Sequence, residues 1–256
     1  MGMIKDLRRL MASAHLRRRR RCVVCGSYVG RFLSYRGGSA SVPRLSLALA
    51  MVGSDVDNFE CPRCGCHDRE RHLALYFQAY GLWQRMSGMR VLHFAPERHL
   101  SRLVAERAPI EHQMCDLHPQ VEGVQLVDLE HMPFADKHFD LLIANHVLEH
   151  VSNDRRALGE IVRVLRPGGL AILQTPYSSL LENTWEDPGI RTPMARLEAY
   201  GQEDHVRLYG LDIFTRFAST GLKPRVTYHA DCLADINPLQ WGVNSVEPFF
   251  LFEKLP

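Results

Sequence analysis

Apolar runs alternate with stretches of helical periodicity from Met89 onward, most clearly between residues 139 and 173. Residues 141–144 form a continuous apolar run, which is typical of a strand buried on both faces of a parallel sheet. Asn153 or Asp154 can cap a following helix, which Pro167-Gly168-Gly169 is expected to end. Residues 170–173 form the next buried strand. Apolar residues recur at helical spacing between the two strands: Leu158, Ile161, Val162 and Leu165.

The same alternation on both sides of this unit predicts an α/β domain over residues 89–256. Helices are predicted over Glu97–Arg107 and Leu211–Ser219, and the last two strands are close enough in sequence to pair antiparallel. Open sheets of this class bind ligands beyond the carboxyl ends of their strands. The first candidates for a site therefore follow the two central strands: Asn145, His146, Gln174 and Thr175. Further strands are predicted over five segments: Arg90–Ala95, Ile110–Cys115, Val124–Val127, Lys223–Tyr228 and Pro248–Glu253.

Residues 22–88 have a different pattern, in which two cysteine pairs flank a loop-rich insert over residues 37–58. Asp68 is expected to cap a helix over Leu73–Trp83 that links this module to the α/β domain. Two thiolates separated by two residues can face one tetrahedral ion, while the glycine that follows lets backbone amides turn toward the sulfurs. The pattern predicts a structural zinc ion in a small zinc-ribbon-like module, with buried free thiols as the alternative. Four cysteines are the predicted ligands, with Cys66 and His67 as spare candidates: Cys22, Cys25, Cys61 and Cys64.

Composition and charge add few constraints. Hydrophobic residues make up 46% of the chain, charged residues 23%, and the net charge of +2 favours no class of partner. The basic N-terminal segment, residues 1–21, ends in the run Arg17–Arg21, which suits RNA phosphates or an anionic membrane surface but is also common in solvated tails. No stretch resembles a signal peptide or could span a bilayer, and the cysteine usage fits a reducing compartment, so a cytoplasmic protein is predicted.

The order of predicted elements, together with two motifs, resembles the class I S-adenosylmethionine-dependent methyltransferases of the type 11-like group. The motifs are VDLEHMPFADKHFDLLIANHVLEHV and RVLRPGG, and the resemblance covers residues 89–256. The segments CPRCG, LHFAPE and EDPGIRTPMARLEAYGQEDHVRLYG resemble a bacterial branch with an N-terminal zinc-binding segment. The resemblance implies a Rossmann-like seven-stranded sheet with strand seven antiparallel, S-adenosyl-L-methionine as cofactor and methyl transfer as the activity.

Within this resemblance, cofactor residues are assigned by position. Asp116, with Leu117 beside it, matches the acid that takes the two ribose hydroxyls, because a carboxylate accepts two hydrogen bonds. Asp128 matches the acid that accepts from the adenine amino group, with Leu129 lining the ring. A turn carboxylate is the alternative role for both acids. Asn145 matches the end of strand four, near the reactive methyl.

The loop after strand one departs from the family pattern. The family usually has a glycine-rich loop there, whereas this chain has His93-Phe94-Ala95-Pro96-Glu97-Arg98 without a glycine. Ala95 still allows close approach to the cofactor, and Pro96 can fix the turn. Glu97 is expected to accept from the methionine ammonium of the cofactor, with His93 in the same cofactor-binding stretch.

Two histidines are predicted to be catalytic. Methyl transfer from a sulfonium is an in-line displacement, and a base helps when the acceptor is a hydroxyl. His146 follows strand four, and His205 lies beside carboxylates, although a loop or helix-cap role is its alternative. His146 and His150 also form a His-x-x-x-His pair, but no third metal ligand is evident in the sequence. The long segment 175–208 is expected to cover an acceptor that is a small molecule or glycan.

Three other functions remain open. An RNA methyltransferase would use the zinc module and the arginine run to bind nucleic acid. A degenerate fold without catalysis would serve as a zinc-dependent interaction module. A dinucleotide-dependent dehydrogenase is the weakest of the three, because the loop after strand one lacks the Gly-x-Gly-x-x-Gly pattern.

Overall fold

The computed structural model describes Arg9, Ala12 and residues 20–255. The basic segment over residues 1–21 therefore lies largely outside the described residues, and its contact with RNA stays a prediction. Its described arginines contact the protein itself: Arg9 donates to Glu60 at 2.5 Å, and the Arg21 guanidinium lies 5.2 Å from the centre of the Trp241 ring.

Seven strands of the described chain form one sheet. The strands in chain order are β1 (Arg20–Arg21), β2 (Tyr28–Val29), β3 (Met51–Val52), β4 (Arg90–Phe94), β5 (Glu111–Asp116), β6 (Gln125–Leu126), β7 (Phe139–Ala144), β8 (Leu165–Ile172), β9 (Tyr177–Ser178), β10 (Leu222–Pro224) and β11 (Leu251–Lys254). The order across the sheet is β10-β11-β8-β7-β4-β5-β6. Strands β4 to β8 pair in parallel, whereas β11 is antiparallel to both of its neighbours. The predicted fold class, including an antiparallel seventh strand, is confirmed.

Helices cover both faces of the sheet. They are α1 (Arg44–Ala48), α2 (Asp68–Ala79), α3 (Leu82–Arg85), α4 (Arg98–Ala105), α5 (Asp154–Val164), α6 (Pro193–Tyr200), α7 (Ile213–Ala218), α8 (His229–Cys232) and α9 (Pro238–Trp241), with 3-10 turns at Gly38–Ser41 and Met86–Gly88. Every residue of β7 is buried, as expected for a central strand between two layers of helices. Phe77 of α2 packs in the same hydrophobic cluster as Leu141 of β7 and Phe249. The linking helix therefore belongs to the core of the sheet.

Two predicted helix boundaries are wrong. The helix expected to end at Pro167 already ends at Val164, because Leu165 pairs with Phe139 and the chain has entered the sheet. The helix expected over Leu73–Trp83 begins earlier, at Asp68, and Ala79 is its last residue.

Asp68 is not the cap of that helix. Its buried carboxylate instead accepts from the backbone N–H of Asp55 at 2.5 Å, and Glu70, inside the first turn, accepts from the N–H of His67 at 2.8 Å. Gly81, with a φ of 63°, separates α2 from α3.

The insert over residues 37–58 packs against the segment 175–208. Strand β3 of the insert pairs antiparallel with β9, and Ser178 donates to the carbonyl of Leu49 at 2.5 Å. Arg36 forms an ion pair with Glu203 at 2.8 Å. The two segments that the sequence leaves as loops therefore form one shared cover beside the sheet.

No helix in residues 20–255 combines the length and the apolar character that crossing a bilayer requires.

Candidate active site

The loop after β4 makes its turn with alanine. Ala95 follows the strand directly and has a φ of 45°, in the left-handed region that glycine adopts more readily. Its N–H donates to the carbonyl of Cys115 at 2.8 Å, which fixes the loop to the end of β5. Ala95 therefore provides the sharp turn for which the sequence offers no glycine.

Glu97 connects this loop to the end of β7. Its side chain is 12% exposed, and Oε2 lies 3.3 Å from Nε2 of His93, while Nδ2 of Asn145 donates to Oε1. Burial opposes ionisation, but the hydrogen bond with His93 and the electrostatic effects of His93 and Arg69 hold the pKa of Glu97 below its ordinary value. The buried Oδ1 of Asn145 accepts no hydrogen bond from a described residue. An ionised carboxylate and an unpartnered amide oxygen therefore lie together at the strand ends.

The two acids assigned to the adenosine lie at the ends of neighbouring strands. Asp116 closes β5, and Asp128 lies two residues after the end of β6. Each accepts, through Oδ1, the backbone N–H two residues later at 2.8 Å, and Oδ2 of Asp128 lies 3.3 Å from His131. Leu117 is exposed and Leu129 is buried. Each carboxylate thus makes the turn contact that the sequence allows as an alternative while it remains at the carboxyl edge of the sheet.

Gln174 and Thr175 follow β8, and their side chains form hydrogen bonds with backbone groups of the protein. Gln174 donates to the carbonyl of Pro248 at 3.1 Å and accepts from the N–H of Phe250 at 2.6 Å. The hydroxyl of Thr175 donates to the carbonyl of Leu173 at 2.9 Å. These contacts attach the end of β8 to the chain that leads into β11.

His146 lies between two buried carboxylates. Nδ1 is 3.3 Å from Glu149, and Nε2 is 3.6 Å from Glu247. Burial and the charge of Arg69 oppose protonation, but the pairing with the carboxylates of Glu149 and Glu247 outweighs them and raises the pKa of His146. The same pairing lowers the pKa of Glu149 and of Glu247 to about 2 against the effect of burial. The arrangement therefore holds a proton on His146 and a negative charge on each carboxylate.

The network extends from Glu247 away from the cleft. Glu247 lies 3.7 Å from Nδ1 of His72, and Nε2 of His72 lies 3.1 Å from His229. Burial lowers the pKa of His72, which favours the neutral form of that imidazole.

His205 approaches the same carboxylate as His146 from the other side. Its Nε2 lies 3.9 Å from Glu149, and its Nδ1 lies 3.0 Å from the carbonyl of Tyr200. Burial lowers the pKa of His205. The guanidinium of Arg207 donates to three carbonyls of the turn after β7, those of Leu148, Val151 and Ser152, at 2.6–3.0 Å. The segment 175–208 is therefore attached to the turn that carries Glu149.

Four cysteine sulfurs converge in the N-terminal module. The sulfur of Cys22 lies 3.3 Å from that of Cys66 and 3.9 Å from that of Cys64, close to the spacing of about 3.8 Å expected around a tetrahedral ion with Zn–S bonds of about 2.3 Å. Cys25 is exposed and outside this group. The structure therefore brings together three of the four predicted ligands and places the spare candidate Cys66 beside them. The converging residues are Cys22, Cys61, Cys64 and Cys66.

A fully buried arginine lies against this cluster. Nη1 of Arg71 is 3.8 Å from the sulfur of Cys66 and donates to the carbonyl of the same residue at 2.9 Å. Its other nitrogens donate to backbone carbonyls, including that of Gly242 at 2.7 Å, and the guanidinium lies 3.9 Å from the centre of the Phe32 ring. No carboxylate of the described chain lies within ion-pair distance of it. Its charge therefore lies directly against the cysteine cluster, through the contact with the Cys66 sulfur.

Sequence reasoning missed the two carboxylates that organise the site. Glu149 was visible in HVLEH between two histidines, and its position in a motif after a buried strand was the signal that could have identified it. Glu247 lies in a loop far along the chain, and no local pattern marks it as buried.

Comparisons with known proteins agree on one domain type. Residues 85–173 match a family model described as a methyltransferase domain. A phthiotriol/phenolphthiotriol dimycocerosates methyltransferase of Mycobacterium tuberculosis is 36% identical over 94 residues, which cover 33% of this chain and 32% of that protein. An uncharacterized methyltransferase of a Mycobacterium species is 50% identical over 42 residues, 16% of this chain and 17% of that protein. The matched residues therefore make up at most 32% of the length of these two relatives.

One solved structure illustrates how distant the structural neighbours are. An S-adenosylmethionine dependent methyltransferase from Mesorhizobium loti is 17% identical, with a TM-score of 0.45 over 70% of this chain and 98% of that chain. A likeness of this size carries no argument about function.

Proposed function

We propose that this chain, which belongs to the class I S-adenosylmethionine-dependent methyltransferases, transfers the methyl group to a hydroxyl or other polar group of a small molecule or glycan. The observation that carries the proposal is the grouping of polar side chains at the carboxyl ends of adjacent parallel strands β4, β5, β6 and β7. Open sheets bind their ligands at this edge. The cofactor supplies an activated methyl group on a sulfonium.

The loop after β4 and the end of β7 fit the amino-acid end of the cofactor. A primary ammonium donates up to three hydrogen bonds and favours a negative partner. Glu97 offers an ionised carboxylate, and Asn145 offers a buried acceptor without a partner. Ala95 has no side-chain atom beyond Cβ and therefore leaves room for the amino-acid end of the cofactor. His93 orients Glu97.

Asp116 and Asp128 are proposed to hold the nucleoside. Asp116 would accept from the two ribose hydroxyls with Leu117 beside it, and Asp128 would accept from the adenine amino group over the buried Leu129. The turn contacts made through Oδ1 orient both carboxylates and are compatible with this role.

The acceptor is proposed to bind between the end of β7 and the shared cover. An in-line displacement depends on positioning and on exclusion of water, and the pairing of β3 with β9 closes that side of the cleft. Protonated His146 supplies positive charge where negative charge would develop on the acceptor side. His205 has its Nδ1 directed to the carbonyl of Tyr200, which leaves Nε2 as an acceptor for the proton of a hydroxyl.

Zinc is proposed as a structural ion in the N-terminal module. Four thiolates close a tetrahedral shell, so such a site has no open position for catalysis. Arg71 supports the assignment, because a zinc ion with four thiolates keeps a net negative charge that a buried guanidinium can balance. The ligand set supported by the geometry is Cys22, Cys61, Cys64 and Cys66, with exposed Cys25 outside it. The division into residues 1–21, 22–88 and 89–256 remains our interpretation of the chain.

Calorimetry with S-adenosylmethionine and its demethylated product tests the cofactor site. The wild-type protein is expected to bind both, and Glu97→Gln to bind with roughly 10–100-fold lower affinity, because a charge-assisted hydrogen bond contributes about 1.5–3 kcal/mol. Glu106→Gln is the matched control, since this exposed glutamate pairs with Arg102 on α4. Folded wild-type protein that gives no heat with either compound would contradict the proposal and favour a degenerate fold.

A screen of cell extract with labelled cofactor tests the acceptor class. We expect label in a polar small-molecule or glycan fraction that depends on His205. Label in RNA, with binding that falls steeply as salt rises, would favour the nucleic-acid alternative.

A further inference from the structure

The carboxylate of Glu149 is buried without the hydrogen bonds that such a group requires. Its side chain is 1% exposed, and neither oxygen accepts a hydrogen bond from any residue of the described chain. His146 forms an ion pair with this carboxylate, and two further histidines face it. Nε2 of His150 lies 4.0 Å and Nε2 of His205 lies 3.9 Å from Oε1. One ligand atom from each of the three residues lies within 4.8 Å of the other two.

The outer nitrogens of both histidines face groups that can only accept hydrogen bonds. Nδ1 of His205 is 3.0 Å from the carbonyl of Tyr200, and Nδ1 of His150 is 3.3 Å from the carboxylate of Asp204. Each Nδ1 therefore carries the hydrogen, and in the neutral imidazole each Nε2 presents a lone pair. Two lone pairs then face the carboxylate oxygen that also pairs with His146. The proton on Nδ1 of His146 is directed to that oxygen and does not satisfy these lone pairs, whereas a cation between the two histidines and the carboxylate would. Histidines oriented in this way by carboxylate or carbonyl groups are typical of metal ligands.

We propose that Glu149, His150 and His205 bind a divalent transition-metal ion at the end of β7. Two imidazole nitrogens and one carboxylate oxygen are a donor set that suits zinc, iron or related ions, and three protein ligands leave a position open for another molecule. His205 supplies the third ligand that is not evident from the His146–His150 spacing. The ion lies one turn away from Asn145 along the chain and is distinct from the four-cysteine cluster.

The geometry requires only a small adjustment. Metal–nitrogen and metal–oxygen bonds of about 2.0–2.2 Å imply ligand atoms about 3.3 Å apart in a tetrahedral site. The Nε2 atoms of His205 and His150 lie 3.9 and 4.0 Å from Oε1 of Glu149. Side-chain movements of well under an ångström would shorten both distances to the tetrahedral value.

The role of the ion deepens the proposed methyl transfer and rests on it. An acceptor hydroxyl at the open position would be made more acidic by the metal, and His205 would then act through the ion. Binding of the ion itself does not depend on that activity.

The test is metal titration of the full chain with its cysteine cluster filled. Calorimetry with Co²⁺, Zn²⁺ and Mn²⁺ is expected to show one further equivalent beyond the metal present after purification. Asp204→Asn removes the carboxylate that orients His150, and loss of such a partner weakens metal binding about 10–100-fold. Glu203→Gln is the matched control, because this neighbouring exposed carboxylate pairs with Arg36 and should leave binding unchanged. His150→Ala, at a partly exposed position, should abolish the added equivalent.

The spectrum of bound Co²⁺ identifies the site. Cobalt at a nitrogen and oxygen site shows ligand-field bands without thiolate charge transfer, whereas cobalt in the cysteine cluster shows both. Wild-type protein that takes up no further equivalent, or equal affinity in the wild type, Asp204→Asn and His150→Ala, would overturn the proposal. Heat on addition of S-adenosylmethionine is measured separately, so a failed metal site and a failed cofactor site give different results.

Discussion

The network around His146 makes a quantitative prediction about stability and pH. Glu247 is buried, with one oxygen 3.6 Å from His146 and the other 3.7 Å from His72. The pairing lowers the pKa of Glu247 to about 2 from 4.5 even though burial alone would raise it. Glu247→Gln keeps the shape of the side chain and removes its charge, so it isolates the electrostatic part of the interaction.

The size of the effect follows from linkage between proton binding and folding. A carboxyl group whose pKa is 4.5 in the unfolded chain and about 2 in the folded protein contributes roughly 3 kcal/mol at neutral pH. Because the folded pKa is the lower one, the unfolded chain binds the proton first as pH falls. The contribution is therefore complete above about pH 5 and is lost progressively toward about pH 2.

The assay is chemical denaturation of the wild type and Glu247→Gln at several pH values. The difference in free energy of unfolding is expected to be roughly 3 kcal/mol at neutral pH and to shrink as pH falls below about 4.5. Loss at low pH of any metal held by the cysteine cluster would affect both proteins, so it would largely cancel in the difference. Glu253→Gln is the control, because its ion pair with Arg225 is at the surface and should contribute less than about 1 kcal/mol. A difference that is equal at neutral pH and at about pH 3, or under about 1 kcal/mol throughout, would refute the reasoning.

Three further predictions concern the metal, the cofactor loop and the buried ion pair between Asp154 and Arg216. Cys66→Ser should lower the zinc content of the purified protein well below one ion per chain, while Cys25→Ser should leave it unchanged; metal analysis showing the reverse would reassign the fourth ligand. Ala95→Gly should raise the free energy of unfolding by about 1 kcal/mol in a denaturant titration, because glycine adopts the positive φ of this turn without strain, and an unchanged or lower value would contradict this. Asp154→Asn should cost about 3 kcal/mol, because the buried carboxylate accepts from Arg216 through both oxygens at 2.6 and 2.8 Å; a loss below 1 kcal/mol in the same measurement would be inconsistent with that pairing.

The sheet could be predicted because its signal is local. An apolar run such as residues 141–144 fits a strand covered on both faces, and in the structure every residue of β7 is buried. Helix boundaries were less predictable. Helix α5 ends at Val164 because Leu165 pairs with Phe139 in the sheet. Phe139 is too distant in sequence for a local pattern to reveal this pairing.

The residues of the candidate site also differ in how far the sequence predicts their position. Residues that follow strands, such as Asp116 and Asn145, are brought to one edge by the parallel sheet itself, so strand order alone predicts their neighbourhood. Glu247 approaches His146 only because the loop before β11 folds back across the end of β8, where Gln174 binds it. Contacts of this kind arise from tertiary packing, and no periodicity in the sequence encodes them.

The N-terminal module connects to the site through its insert. The insert lies between Cys22 and Cys61 in the chain, so an ion bound by both of these cysteines would also close the loop that carries β3. At the far end of that loop, the backbone of Gly53 lies against the ring of His146, where an added Cβ would be 3.9 Å from Cε1 and 3.3 Å from Pro176. Asn244 donates to the carbonyl of the same glycine at 2.6 Å. An ion bound by the cysteine cluster would therefore restrain the segment that lies against His146, which would give the N-terminal module a physical role in the site although none of its cysteines lies there.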